Sequence, residues 1–208
     1  METLTEGKTA VIFGATGLTG NELLKQLIEN GNYSKIIAVV RREVDFKSNK
    51  VTNIILENFL NLFEIADKLK ADLFFVCTGT TIKKAGSKEA FRKTDYEIPL
   101  RISECAQQIK IPGMVVISSI GADSSSSNFY LRTKGEMEAA ISKAYNGNLK
   151  FIRPSLLLGK RDEFRAGEYF ASFVMKALGW AMIGPLKKYR GVKASEVARQ
   201  MEELSRMG

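Results

Sequence analysis

The sequence predicts an α/β fold, a doubly wound and mostly parallel sheet of about six or seven strands with helices on both faces. Three observations carry that expectation. Apolar runs of strand length alternate with amphipathic stretches of helix length along most of the chain. The first such run ends in three glycines spaced three apart, Gly14, Gly17 and Gly20, with a helix-like segment directly behind them. A chain of 208 residues, 45% hydrophobic and 26% charged, is enough for one sizeable core and fits one domain over 1–208 better than two.

Lys8–Phe13 reads as the first strand. Gly14 permits a tight turn out of it, Gly17 lets the backbone approach a pyrophosphate with no Cβ in the way, and Gly20 lets the next helix pack close to the sheet. That helix, 21–29, would aim its free N–H groups and positive dipole end at the phosphates. Asn30, Gly31 and Asn32 stop it before a second strand at 36–40. A third strand at 51–56 precedes a helix at 60–69, in which Leu62, Phe63, Ala66 and Leu69 share a face. The fourth, 72–77, is so apolar between its ends that burial on both faces is expected. It opens into Thr78, Gly79, Thr80 and Thr81, which the ligand rule for open α/β sheets puts beside the glycine loop.

Ser87 reads as the N-cap of a long helix towards Lys110, and Pro99 predicts a kink or break near Ile98. Pro112 and Gly113 end that segment, and a fifth strand at 114–117 delivers Ser118 and Ser119 at its carboxyl end. The polar stretch 121–128, GADSSSSN, reads as a βα loop over a site rather than a linker. A helix at 130–145 places Met137, Ala140, Ile141 and Ala144 on one stripe, and a sixth strand at 149–152 ends at Arg153 and Pro154. Residues 158–192 read as a small substrate-facing lobe whose aromatics Phe164, Tyr169, Phe170, Phe173 and Trp180 fill its core or wall a pocket. A last helix starts at Ser195.

Composition excludes several functions. There is no histidine, which removes Ser-His-Asp and Cys-His nucleophiles and histidine-ligated metal sites together, so no metal centre is expected. Acid–base chemistry must then come from Tyr, Lys, Asp, Glu or Cys. Cys77 and Cys105 are too few and too apolar in setting for a disulfide framework. The net charge of +8 is spread in small groups, Arg41-Arg42, Lys83-Lys84-Lys88 and Lys187-Lys188-Arg190, without a nucleic-acid module, so a solvated surface and no nucleic-acid partner are expected. The polar start METLTEGKTA and the lack of a long apolar run predict a cytoplasmic protein with no membrane span.

One pair of side chains has a chemical use. Tyr130 and Lys134 stand four apart on a helix, hence on one face, and an ammonium within reach of a phenol stabilises the phenolate. Ser119, with Ser118 as the alternative, can hold a substrate oxygen from the preceding strand end.

The segments GATGLTG, VISS, YLRTKGE and FIRPS, taken together and in order, resemble the short-chain dehydrogenase/reductase superfamily, in its extended or atypical branch. More narrowly, VVRRE, CTGTTIKKAGS, SSIGADSSSSNFYLRTKGEMEA and FIRPSLLLGKRDEFRAGE look like the Tat-interacting-protein oxidoreductase group. The resemblance implies a dinucleotide-binding Rossmann domain. It implies that Thr16, Gly17, Leu18 and Thr19 line the pyrophosphate, and that Thr78 and Gly79 lie on the adenosine or ribose side. Tyr130 and Lys134 would meet the nicotinamide ribose and the reacting oxygen, and Leu157 and Arg165 would approach the cofactor. Asp95 departs from the asparagine of many members, which puts a proton relay through that position in doubt.

Arg41 and Arg42 stand after the second strand, where an NAD-specific fold places an acidic residue for the ribose 2′-OH. Two guanidiniums suit a 2′-phosphate, so NADP(H) is preferred and NAD(H) possible. The expected activity is hydride transfer to a carbonyl or similar small molecule with Tyr130 as general acid. The alternatives are an NADP(H)-binding regulatory or redox-sensing protein acting through a protein partner, or a nucleotide-sugar epimerase-like enzyme. A homodimer is compatible with any of these.

Overall fold

Six parallel strands form one sheet: β1 (Lys8–Phe13), β2 (Tyr33–Val40), β3 (Val51–Ile55), β4 (Leu73–Val76), β5 (Gly113–Ile117) and β6 (Asn148–Ile152). Their order is β3-β2-β1-β4-β5-β6, so the chain winds outward from β1 in one direction and then returns to wind outward from β4 in the other. This computed structural model describes residues 7–155, 157–158 and 191–207. Arg165 and the aromatic residues of the expected lobe lie outside the described residues, as does the side chain of Leu157.

The central strands read as unbroken apolar runs because both of their faces are covered. Ala10 and Ile12 of β1, with Leu73 and Phe75 of β4, pack towards Leu23, Leu24 and Leu27 of α1 (Leu18–Glu29) and Val197 and Met201 of a C-terminal helix, Ala194–Leu204. Val11, Phe13, Phe74 and Val76 alternate with them and face the other way. They meet Leu62 and Ala66 of the segment Phe59–Leu69, Ile102 of the helix Ile98–Gln108 and Met137 and Ile141 of the helix Phe129–Ala144. Phe13 stacks edge-on against Phe74 at 5.1 Å between ring centres, locking β1 to β4 on this face.

Register brings the carboxyl ends level. Phe13 pairs with Val39 and with Val76, Val76 with Val116, and Ile117 with Ile152. The loops after β1, β4, β5 and β6 therefore open on one edge, at the point where the winding reverses.

The expected elements are present, including a division of the long helix near Ile98, and the structure adds local detail. Residues 59–69 are coiled in 3-10 geometry with a bend at Asn61, and Asn58 caps them by accepting the Leu60 N–H at 3.1 Å. After a single turn α2 (Ile82–Ala85), the long helix expected from Ser87 is divided. Ser87 does cap it, accepting the Ala90 N–H at 3.0 Å, but α3 (Lys88–Arg92) gives way to a wide π turn, Lys93–Glu97, before α4 (Ile98–Gln108). Pro99 is the physical reason, since it has no N–H to offer the Asp95 carbonyl and its ring crowds that oxygen. Finally, β7 (Leu157–Leu158) and β8 (Val192–Lys193) pair in parallel as a separate two-stranded sheet that periodicity did not foretell. The helices Phe129–Ala144 and Ala194–Leu204 are α5 and α6.

Candidate functional site

The glycine loop owes its shape to backbone crowding. Gly14 has φ +84°, and a Cβ there would sit 2.7 Å from the Cys77 carbonyl oxygen. A Cβ on Gly20 would fall 2.2 Å from the Gly14 oxygen, so both outer glycines are required by close approach within the protein. Gly17 is different, because it lines a cleft. It is also the N-cap of α1, with no side chain to satisfy the helix's first N–H groups and no acidic residue in the first turn. Those N–H groups are donors left for an anion.

The cleft is about 150 Å³ and lies over the carboxyl edge of the sheet. Gly17, Leu18 and Thr19 form one side, Cys77 to Thr81 the next, and Ile117, Ser118 and Ser119 the third, with Asp95, Tyr130, Lys134, Pro154 and Ser155 completing it. Among the described residues four buried side-chain oxygens have no hydrogen-bond partner, and three of them, Thr19 Oγ1, Thr78 Oγ1 and Ser118 Oγ, line this cleft. Buried hydroxyls are nearly always satisfied in folded proteins, so three orphans on three separate loops lining one cleft favour a polar ligand there. A phosphate-bearing dinucleotide fits that donor set.

Lys134 sits at the floor, buried with only 3% of its surface exposed, and its Nζ is 2.8 Å from Asp95 Oδ1. Asp95, itself 1% exposed, accepts the Thr80 N–H on its second oxygen at 2.8 Å. Burial opposes the charge on Lys134, but Asp95, Tyr130 and Glu138 together outweigh it and hold the ammonium above its ordinary range. Burial also pushes the Asp95 carboxyl up, and Lys134 and the Thr80 N–H bring it part of the way back. Gly79 lies over the pair, where a Cβ would come 3.3 Å from Asp95 Oδ1. Tyr130, half-buried one turn before Lys134, leans its ring on Phe91 at 5.5 Å.

Of the residues singled out from sequence, Gly17, Leu18, Thr19, Thr78 to Thr81, Asp95, Ser118, Ser119, Tyr130 and Lys134 meet in this cleft. Gly14 and Gly20 shape it from behind. Thr16 is exposed on the loop, and Arg41 and Arg42 are exposed just past β2, neither in an ion pair with a described residue. Their place follows from the Phe13–Val39 pairing, which sets the end of β2 alongside the glycine loop. Of the two serines, Ser119 donates to the Ile120 carbonyl at 3.3 Å whereas Ser118 has no partner.

One point differs from the expectation and one adds to it. The serine-rich stretch 121–128 contributes nothing to the cleft lining and instead packs on α5, where a Cβ on Gly135 would fall 2.2 Å from the Ser124 nitrogen. Gly135 was the available signal, a glycine inside a helix being the place where another backbone can come close. Asp95 is the other, since its departure from asparagine was legible but its partner was not. Cys77, half-buried at the back wall with its sulfur 3.8 Å from Met201 Sδ, has its thiol pushed up to about 12 by burial, which removes it as an acid–base group near neutrality.

Among the described residues no group of His, Cys, Asp or Glu could hold a metal ion, and no helix is long and apolar enough to cross a membrane. The family model described as NAD dependent epimerase/dehydratase matches residues 10–191. The chain is 36% identical to Protein HTATIP2 of Rattus norvegicus over 169 residues, 80% of this chain and 69% of that protein. It is 36% identical over 157 residues to Protein FMP52, mitochondrial, of Debaryomyces hansenii, 74% of this chain and 69% of that protein. Among solved structures, ADP-L-glycero-D-manno-heptose-6-epimerase of Helicobacter pylori superposes with a TM-score of 0.71 at 18% identity, over 99% of this chain and 76% of that one. The oxidoreductase ylbE of Lactococcus lactis gives 0.66 at 19% identity, over 94% and 84%. At such identities the structural likeness shows the fold.

Proposed function

The chain belongs to the NAD dependent epimerase/dehydratase family, and from that premise we propose that it is an NADP(H)-dependent oxidoreductase that reduces a carbonyl or similar small substrate, with Tyr130 as the general acid. The observation that carries the reading is the meeting of Tyr130 and Lys134 with three unpartnered hydroxyls in one cleft at the mouth of the glycine loop.

Thr19, Leu18 and the Gly17 end of α1 would hold the phosphates, Thr78 and Gly79 the ribose side, and Arg41 and Arg42 a 2′-phosphate. By family resemblance Leu157 and Arg165 join them. When bound, the nicotinamide supplies the hydride. Tyr130 gives its phenolic proton to the substrate oxygen, and the Lys134 charge stabilises the phenolate left behind. Ser118, whose hydroxyl has no internal partner, is free to orient that oxygen, and Ser119 can do so by releasing the Ile120 carbonyl. We read 1–208 as one domain with 158–192 facing the substrate, and we place it in the cytoplasm, although the FMP52 relatives are named mitochondrial. Fractionation of the tagged chain checks the compartment.

Mixing the protein with NADPH and a panel of aldehydes, ketones and quinones tests the reduction through loss of the reduced nicotinamide absorbance. Tyr130→Phe is expected to lower turnover by about a hundredfold or more while leaving NADPH affinity within about threefold. Retained turnover overturns the role of Tyr130. NADPH binding with no substrate in the panel consumed would favour the regulatory protein acting through a partner.

A further inference from the structure

We propose that the substrate reduced at this cleft carries an anionic group, a carboxylate or a phosphate monoester, set apart from its carbonyl, and that Lys88, with Lys83 and Lys84, receives it. The inference rests on the reduction proposed above and names the charge class of its substrate.

Position carries the argument. Thr80 and Thr81 belong to the cleft wall, and the chain leaves that wall straight into α2, where Lys83 and Lys84 are exposed. Thr81 fixes the turn by accepting the Lys84 N–H at 3.1 Å. Lys88 opens α3 and is tied back to the Tyr130 end of the cleft through a row of rings. Its Nζ stands 5.4 Å from the centre of Phe129, Phe129 lies 5.8 Å from Phe91, and Phe91 lies 5.5 Å from Tyr130. A cation drawn to a ring face is held near one place rather than left to sweep the solvent.

Charge balance agrees with position. Unpaired lysines are ordinary on a surface, but here the surrounding acids are engaged. Glu136 is held by Arg92, Asp95 by Lys134, and Glu89 by the Ser87 hydroxyl and its own N–H. Lys83, Lys84 and Lys88 make no ion pair with a described residue. Arg132 adds a second cation over Phe129 at 5.9 Å, its Nη1 donating to the Ser126 and Ser127 carbonyls rather than to a carboxylate. The Gly17 end of α1, proposed above for the cofactor phosphates, stands on a different wall of the cleft. A positive rim at a cleft mouth concentrates anions and speeds their encounter, whereas a neutral carbonyl compound gains nothing from it. In the reaction C=O becomes CH–OH, the carbon taking the hydride and the oxygen the Tyr130 proton while NADPH is oxidised to NADP⁺, and the anion is bound unchanged.

The test measures NADPH-dependent reduction of straight-chain aldehydes of graded length that end in a carboxylate, in its methyl ester or in a phosphate monoester. At the best length, kcat/KM for an anionic aldehyde is expected to exceed that for the ester by about tenfold or more at low salt, and the advantage should shrink as ionic strength rises. The carboxylate and phosphate arms tell which anion is preferred. Replacing the three exposed lysines together, Lys83→Gln, Lys84→Gln and Lys88→Gln, should bring the anionic aldehyde down to the value of the ester. Equal values for anion and ester in the wild type, or an advantage that survives the three substitutions, would overturn the proposal. If no aldehyde is consumed, the reduction is rejected and the rim is judged by binding, with succinate and inorganic phosphate added to the whole chain carrying ¹³C at lysine Cε in the presence of NADP⁺. Selective movement of the Lys88 resonance upholds the anion site without the reduction. Movement no greater than that of Lys8, exposed at the amino end of β1, overturns both.

Discussion

Tyr130 and Tyr145 stand at opposite ends of α5 and differ in what surrounds the phenol. Tyr130 opens on the cleft, whereas Tyr145 is buried and donates to the Ile111 carbonyl at 2.7 Å. Burial pushes the Tyr145 phenol up to about 12 from its ordinary 10.0, so the folded state keeps a proton that the unfolded chain releases. The contribution is whole below pH about 10 and is lost as pH rises towards 12. Cys77 and Cys105, pushed up to about 12 and about 11 from 9.0, act with the same sign and begin lower. Urea unfolding should therefore show stability falling steeply above pH about 9. Tyr145→Phe should be less stable by about 1 kcal/mol near neutrality, and the gap from wild type should narrow as pH climbs from 10 to 12. A gap that stays constant over that range would contradict the assignment. The sequence marked Tyr130 by its spacing from Lys134 and was silent on Tyr145, because a hydrogen bond to a carbonyl in the connection between α4 and β5, 34 residues away in the chain, leaves no periodic trace.

The β1 to α1 unit shows how much of an element local rules can encode. Its strand bounds, its glycines and its stop at Asn30 were readable because each depends on residues a few positions apart. The helix start was not, as α1 begins at Leu18 rather than at 21, with Gly20 already inside its first turn. Gly20→Ala should be destabilising by about 1–3 kcal/mol, since the new Cβ would meet a backbone oxygen 2.2 Å away that no rotamer change can relieve. Urea unfolding reads the loss, and NADPH titration should show weakened binding because the loop carrying Gly17 must move. The helix from Ser87 illustrates the opposite case. Its cap and its irregularity at Pro99 were legible, but whether a proline bends, breaks or widens a helix depends on what the freed backbone packs against. Here the backbone widens into a π turn and Asp95, in line with buried Phe91 and Pro99, lies against α5, and the helix dipole and capping rules contain no information about that neighbour.

The sheet joins two kinds of surface at one edge. The cleft is assembled from loops after four strands, and Arg41 and Arg42 flank it from the end of a fifth, exposed and without ion-pair partners among the described residues. Replacing both by alanine should raise the Kd for NADPH about tenfold or more and that for NADH less than about threefold, read by fluorescence titration. Equal weakening of the two would remove the 2′-phosphate assignment. Alternation of apolar strands with amphipathic helices was enough to predict a doubly wound sheet, since burial on both faces writes itself into every strand. The glycine loop and the Tyr130–Lys134 spacing likewise came from the chain alone, because turn chemistry and helical pitch act over a few residues. The pairing of Asp95 with Lys134, the unpartnered hydroxyls of Thr19, Thr78 and Ser118 around one cleft, and the docking of 121–128 on Gly135 did not. Those depend on which elements lie side by side once the sheet is wound, and contacts between residues distant in the chain are fixed by packing rather than by any local period.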